Sequence, residues 1–284
     1  LHYIATVSTI GAVVLVAGYG LAIFAARLPA ATFARAMLPV QAVAFSTQSF
    51  CASTTANVFI HGYSAGQNLE DRTLLASQIP KALSGNINLL AFWESSHISS
   101  FGKISRTIIL GAARVHPGAS IAAAAADRAV HFALSRKRAT EVGEALLDEL
   151  EAHLLEHYPY VTHVNLGGHS LGGRVVISAL RKLATHPESC ELIINEVLLM
   201  AAAVEVSADE GKALKGCTVG RLINAYSKSD AILLMNVDET CLGRHEVPHF
   251  ENVAMIGFGH MDYWPKVHDV LLRTRFAGFK GQQV

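Results

Sequence analysis

The sequence predicts an α/β fold, a mostly parallel sheet with helices on both faces. Two observations predict it. Short apolar runs alternate along the chain with segments of helical period, the pattern of strand–helix–strand units. The apolar runs carry no polar–apolar alternation, so each strand is covered on both faces, as parallel strands are.

The elements follow in order. The chain opens on Leu1, which we read as the start of a fragment, a processed form or a trimmed form. From Ile4 to Ala26 there are 23 residues without a charge, and ~20 apolar residues suffice to cross a bilayer. Gly11 and Gly18 would let a second helix approach closely. Arg27 and Arg35 follow, which would leave the rest of the chain on the cytoplasmic side. A buried helix and a signal-peptide remnant are the alternatives. Residues 27–56, Ala-rich with Pro29 and Pro39, read as short helix and connector. The expected organisation is therefore an apolar N-terminal segment over 1–56 and one main domain over 57–284.

Val58, Phe59 and Ile60 form the first strand, ended by His61-Gly62. Residues 69–84 read as helix and 86–96 as the second strand. The stretch 97–135 sits between a strand and a helix, where caps and lids are inserted, and is a candidate lid. Residues 136–157 are helical, with Val142, Leu146, Leu150 and Leu154 on one stripe. The third strand is 162–170, and its following helix is 171–185. Fourth, fifth and sixth strands are expected at 194–204, 220–230 and 250–260. A last helix spans 264–276, with Pro265 in its first turn.

Composition excludes several classes. Lys+Arg and Asp+Glu balance at 23 each, so no bulk attraction to nucleic acid is expected. The 14 His are scattered, without an H-E-x-x-H pair. Cys51, Cys190, Cys217 and Cys241 show no C-x-x-C spacing and read as buried thiols. Neither a metal nor an organic cofactor is expected.

The chemistry gathers at strand ends. "GHSLG" (168–172) is G-x-S-x-G between a strand and a helix, the setting of a nucleophile elbow. Gly168 and Gly172 leave room for the tight turn that lifts the Ser170 hydroxyl above the sheet. The next amide, that of Leu171, opens a helix, where it would stabilise an oxyanion. A serine needs a base, and the base an orienting acid. In chain order the fifth strand offers Asp230, with Glu205 as rival acid. The sixth offers His260, with His245, His249 and His268 as rivals. "HGY" (61–63) ends the first strand, and the Tyr63 amide is the expected second oxyanion donor. His61 and His169 are expected to be structural.

With these residues in place, the chain resembles an alpha/beta hydrolase with a lipase-like elbow, "GHSLGG". The blocks "LLAFWESS", "AAADRA", "HSLGGRVV", "VGRLINAYSKSDAIL" and "ENVAMIGFGHMDYW" are similar in order and spacing to one family, over roughly residues 55–275. It is the transmembrane and coiled-coil domain-containing hydrolases, formerly a domain of unknown function. The resemblance implies a Ser170–Asp230–His260 triad and attachment to membranes. It implies less about the oxyanion hole, since relatives are expected to vary at His61.

The expected activity is that of a serine hydrolase, a lipase, esterase or phospholipase that cleaves lipid carboxylic esters through an acyl-enzyme. The expected partners are a lipid or ester substrate and a membrane contacted through residues 4–26. The expected location is membrane-associated, with secretion as a bacterial effector as the alternative. An acyltransferase or thioesterase using the same triad, and a catalytically silent membrane-associated scaffold, stay open as other readings.

Overall fold

The computed structural model describes residues 54–62, 69–83, 87–93, 117–234 and 239–281. The apolar segment 4–26, Tyr63 and residues 97–116 lie outside the described residues. Among the described residues six strands form one sheet: β1 (Thr55–Ile60), β2 (Ile87–Ala91), β3 (His163–His169), β4 (Ile193–Met200), β5 (Leu222–Tyr226) and β6 (Glu251–Ala254). Their order is β2-β1-β3-β4-β5-β6, and every neighbouring pair is parallel.

Among the described residues six helices accompany them: α1 (Leu69–Ala82), α2 (Pro117–His157), α3 (Leu171–Thr185), α4 (Ala208–Gly216), α5 (Ala231–Leu234) and α6 (Val267–Thr274). The helix expected over 136–157 begins earlier, at Pro117, so residues 117–135 are the first turns of α2. The Ala tract at 122–126, a strong helix former, accounts for that extension. α4 was not legible as a helix; a capping box by Ser207 and Glu210 starts it. Among the described residues, no helix is long and apolar enough to cross a membrane.

α2 packs along α3, and α1 against α6. The core is aliphatic: Val58, Val164, Leu166, Val197, Leu198 and Ile223 are buried in the sheet, under Val175, Val176 and Leu180 of α3. Each such side chain contributes about 1.5–3 kcal/mol by leaving water.

Every strand also carries a buried or half-buried asparagine. Asn57 Nδ2 on β1 donates to Asn88 Oδ1 on β2 at 2.9 Å. Asn165 Nδ2 on β3 donates to Asn57 Oδ1 at 2.8 Å, and Asn195 Nδ2 on β4 to Asn165 Oδ1 at 2.9 Å. Parallel register aligns Asn57 with both Asn88 and Asn165. On β3 and β4 a register shift between Val164 and Leu166 accommodates the crossing. A second pair links β5 to β6, Asn224 Nδ2 donating to Asn252 Oδ1 at 3.0 Å. Between β4 and β5 the ladder stops: Asn224 Oδ1 is buried without a partner among the described residues. A slip of one residue would leave these amides unpaired in the core, so the ladder fixes register.

The order places β1 between β2 and β3, so chain direction across the sheet reverses at β1. Ligands of open parallel sheets bind beyond the carboxyl ends of strands at such a reversal. β3 ends there, at His169.

Candidate active site

Ser170 follows β3 and is the cap of α3, with φ 56° and ψ −119°. A non-glycine residue rarely adopts such a backbone. Three bonds hold it there: its amide donates to Met200 O at 3.0 Å, and its carbonyl accepts from Gly173 N and Ala203 N, each at 3.0 Å. The turn admits no side chain two residues to either side of it. A Cβ on Gly168 would fall 2.5 Å from Gly172 O, and one on Gly172 would strike the Ile60 and His61 carbonyls. Both elbow glycines are therefore required by close approach.

His260 sits in the short 3-10 turn His260–Asp262 after β6, and Asp230 just after β5. The three side chains are hydrogen-bonded in series. Asp230 Oδ2 accepts from His260 Nδ1 at 2.7 Å, and His260 Nε2 lies 2.8 Å from Ser170 Oγ. With Nδ1 protonated, Nε2 is the acceptor for the serine hydroxyl. Asp230 is fully buried, its other oxygen accepting from Leu233 N at 2.9 Å. Ser170 and His260 are buried as well.

The rivals stand apart from this array. Glu205, His249 and His268 are exposed. His245 is half-buried, and its Nδ1 has no partner among the described residues.

The Leu171 amide opens α3, where the helix itself supplies no acceptor. Among the described residues no acceptor takes that amide. Tyr63, the other expected donor, lies outside the described residues.

His61 and His169 are both buried, and burial, the dominant influence, lowers both rings. His61 is held down at about 4 and His169 at about 3. His61 Nδ1 donates to Gly62 O at 2.9 Å, while its Nε2 accepts from Trp93 N at 3.3 Å. That pairing suits the neutral ring. His169 Nε2 donates to His260 O at 3.0 Å.

Two supporting residues were not legible as such. Ser227 Oγ donates to Phe258 O at 2.6 Å, tying the loop after β5 to the loop after β6. Its place three residues before Asp230 in "YSKSD" is the only hint. Tyr263 is fully buried, and its hydroxyl has no partner among the described residues. Burial, then the nearby Asp230 charge, raises that hydroxyl's pKa well above its ordinary value. Among the described residues, no cluster of His, Cys, Asp and Glu could hold a metal.

A family model described as "Protein of unknown function (DUF726)" matches residues 129–277, more than half of the chain. The chain is 33% identical over 148 residues to "Uncharacterized membrane protein F35D11.3" of Caenorhabditis elegans, covering 47% of this chain and 23% of that protein. It is 29% identical over 143 residues to "Transmembrane and coiled-coil domain-containing protein STS1" of Oryza sativa subsp. japonica, covering 47% of this chain and 21% of that protein. The match thus spans less than a quarter of the length of these curated relatives. Two solved structures are similar in fold. The esterase domain of a Rhodothermus marinus protein is 14% identical, with TM-score 0.41, over 83% of this chain and 97% of that one. A lipase-esterase related protein from Clostridium acetobutylicum ATCC 824 is 12% identical, with TM-score 0.43, over 82% and 98%.

Proposed function

From the premise that this chain belongs to the family described as "Protein of unknown function (DUF726)", we propose that it is a serine hydrolase of carboxylic esters. The observation that carries the reading is the series Ser170–His260–Asp230, hydrogen-bonded at the carboxyl ends of β3, β6 and β5. Ser170 Oγ attacks the ester carbonyl carbon while His260 Nε2 takes its proton. The carbonyl oxygen becomes an oxyanion, met by the Leu171 amide at the N-terminus of α3 and, on the sequence reading, by the Tyr63 amide. Collapse breaks the carbon–oxygen bond, and His260 returns the proton to the leaving alcohol. Water, deprotonated by the same nitrogen, then releases the acid and restores Ser170. Asp230 keeps the His260 proton on Nδ1 and stabilises the cation formed in each half.

An apolar acyl chain is the substrate the surroundings favour. Ile232 and Leu234, just after Asp230, are 48% and 59% exposed. Ile256 and Met261, flanking His260, are 84% and 72% exposed. Exposed large apolar side chains close in sequence to Asp230 and His260 favour an apolar ligand. The printed names of the relatives, and the uncharged segment 4–26, support association with a membrane.

The test is hydrolysis of p-nitrophenyl esters from acetyl to palmitoyl, by the wild type and by Ser170→Ala. The expected outcome is turnover by the wild type, an optimum at longer chains, and a loss of roughly 10³-fold or more in the variant. Equal inertness of both proteins on every ester, in solution and on lipid vesicles, would move the reading to a scaffold.

A further inference from the structure

His169 precedes the nucleophile in the chain, yet its ring reaches across to the element that carries the base. Its Nε2 lies 3.0 Å from the His260 carbonyl oxygen. A carbonyl only accepts, so the His169 proton resides on Nε2 and is donated there. The His260 residue is thereby held three times: at Nδ1 by Asp230, at Nε2 by Ser170, and at its backbone by His169. The contact at Nε2 must break and re-form as the proton moves, while the one at Nδ1 carries the changing charge of the ring. The third touches no reacting atom and stays intact throughout. We propose that His169 is a positioning residue that fixes the backbone of His260, so that nucleophile and base move as one body; this rests on the hydrolase reading above.

The surroundings fit that role. The His169 ring lies 5.2 Å from the His260 ring, 5.8 Å from Tyr263 and 6.3 Å from Trp264, centroid to centroid. These neighbours all come from the segment after β6, so the ring is wedged between elbow and base loop. The titratable groups that face it are His260, Asp230, His61 and Tyr263. Burial, the largest influence on His169, keeps it neutral at neutral pH. A neutral neighbour does not oppose the positive charge that His260 acquires in each half-reaction. The chain connection matters too. Ser170 is bound covalently to His169 and by backbone bonds to Met200, Gly173 and Ala203. A shift of the base loop is thus resisted by the elbow itself, and a misplacement of ~1 Å can cost roughly 10²-fold in rate.

The experiment compares the full chain carrying His169→Gln, which keeps an N–H donor, with His169→Phe, which keeps a ring and loses the donor. The expected result is kcat on a p-nitrophenyl ester within about threefold of wild type for Gln and reduced roughly 10–100-fold for Phe, with KM little changed in both. The second readout needs no turnover. In protein labelled with ¹⁵N-histidine, the His260 Nδ1–H resonance, assigned by its loss in His260→Gln, should persist in His169→Gln and broaden away in His169→Phe. Should His169→Phe fold poorly, His169→Met takes its place. Equal losses in Gln and Phe, or an unchanged resonance in Phe, would overturn the proposal. If the wild type itself cleaves no ester, the hydrolase reading fails, and the resonance alone decides for or against the clamp.

Discussion

Three histidines meet near Ser170, and each is set to a different task by its partners. His260 has a carboxylate on one nitrogen and a hydroxyl on the other. His61 donates to Gly62 and accepts from Trp93, so a second proton on its ring would confront an N–H. His169 donates to a carbonyl in a fully enclosed place. His61 and His169, lowered by burial to about 4 and about 3, resist protonation when folded. In the unfolded chain both titrate at the ordinary value of 6.5. The unfolded state therefore binds more protons than the folded one below that value. Stability from these two sites is fully present above pH 6.5 and is lost as pH falls toward about 4 for His61 and about 3 for His169. The expected outcome is a melting temperature that drops steeply over that window, and less steeply in His61→Gln or His169→Gln; thermal melts at a series of pH values check it. At this scale much was legible. Ser170, Asp230 and His260 follow from residue type, chain order and position at strand ends. The reach of His169 to His260 was not legible, because it depends on how the end of β3 meets a turn 91 residues further along.

At the scale of elements, the apolar runs identified all six strands, since burial on both faces demands continuous hydrophobicity. Their ends were overestimated: the fifth was expected over 220–230, yet β5 ends at Tyr226. Beyond it, Ser227 and Asp230 turn the chain by side-chain and backbone bonds instead of pairing. The asparagine ladder was illegible for a different reason. One asparagine in an apolar run reads as a blemish, and its worth appears only when neighbouring strands align it with another. Asn57 stands at the centre, bonded to Asn88 and Asn165. Replacing it by Leu would remove the donor to Asn88 Oδ1 and the acceptor of Asn165 Nδ2. The expected cost is about 2–5 kcal/mol, read as a lower urea midpoint at unchanged slope. α2 shows the same kind of dependence on its neighbour. A Cβ on Gly143 would lie 2.5 Å from the Ser178 Cβ of α3 and against the Val175 carbonyl, so the two helices meet at a distance only glycine allows.

At the scale of the whole molecule, the fold class followed from the alternation of elements, whereas the order β2-β1-β3-β4-β5-β6 rests on contacts distant in sequence. The uneven ladder of amides has a consequence for how the protein comes apart. It binds β2, β1, β3 and β4 into one block and β5 and β6 into another. Backbone pairing joins the blocks, with no amide rung between Asn195 and Asn224 among the described residues. Ser170 belongs to the first block; Asp230 and His260 belong to the second. A seam between units that could open separately thus runs through the Ser170–His260–Asp230 series. Opening at the seam has to break the His169–His260 contact as it parts Ser170 from His260, while most of the sheet stays folded. In increasing urea, esterase activity is expected to vanish before the far-ultraviolet circular dichroism changes, with the amides of β5 and β6 exchanging hydrogen ahead of those of β1 and β3. Coincident loss of activity and structure would show the two blocks opening as one.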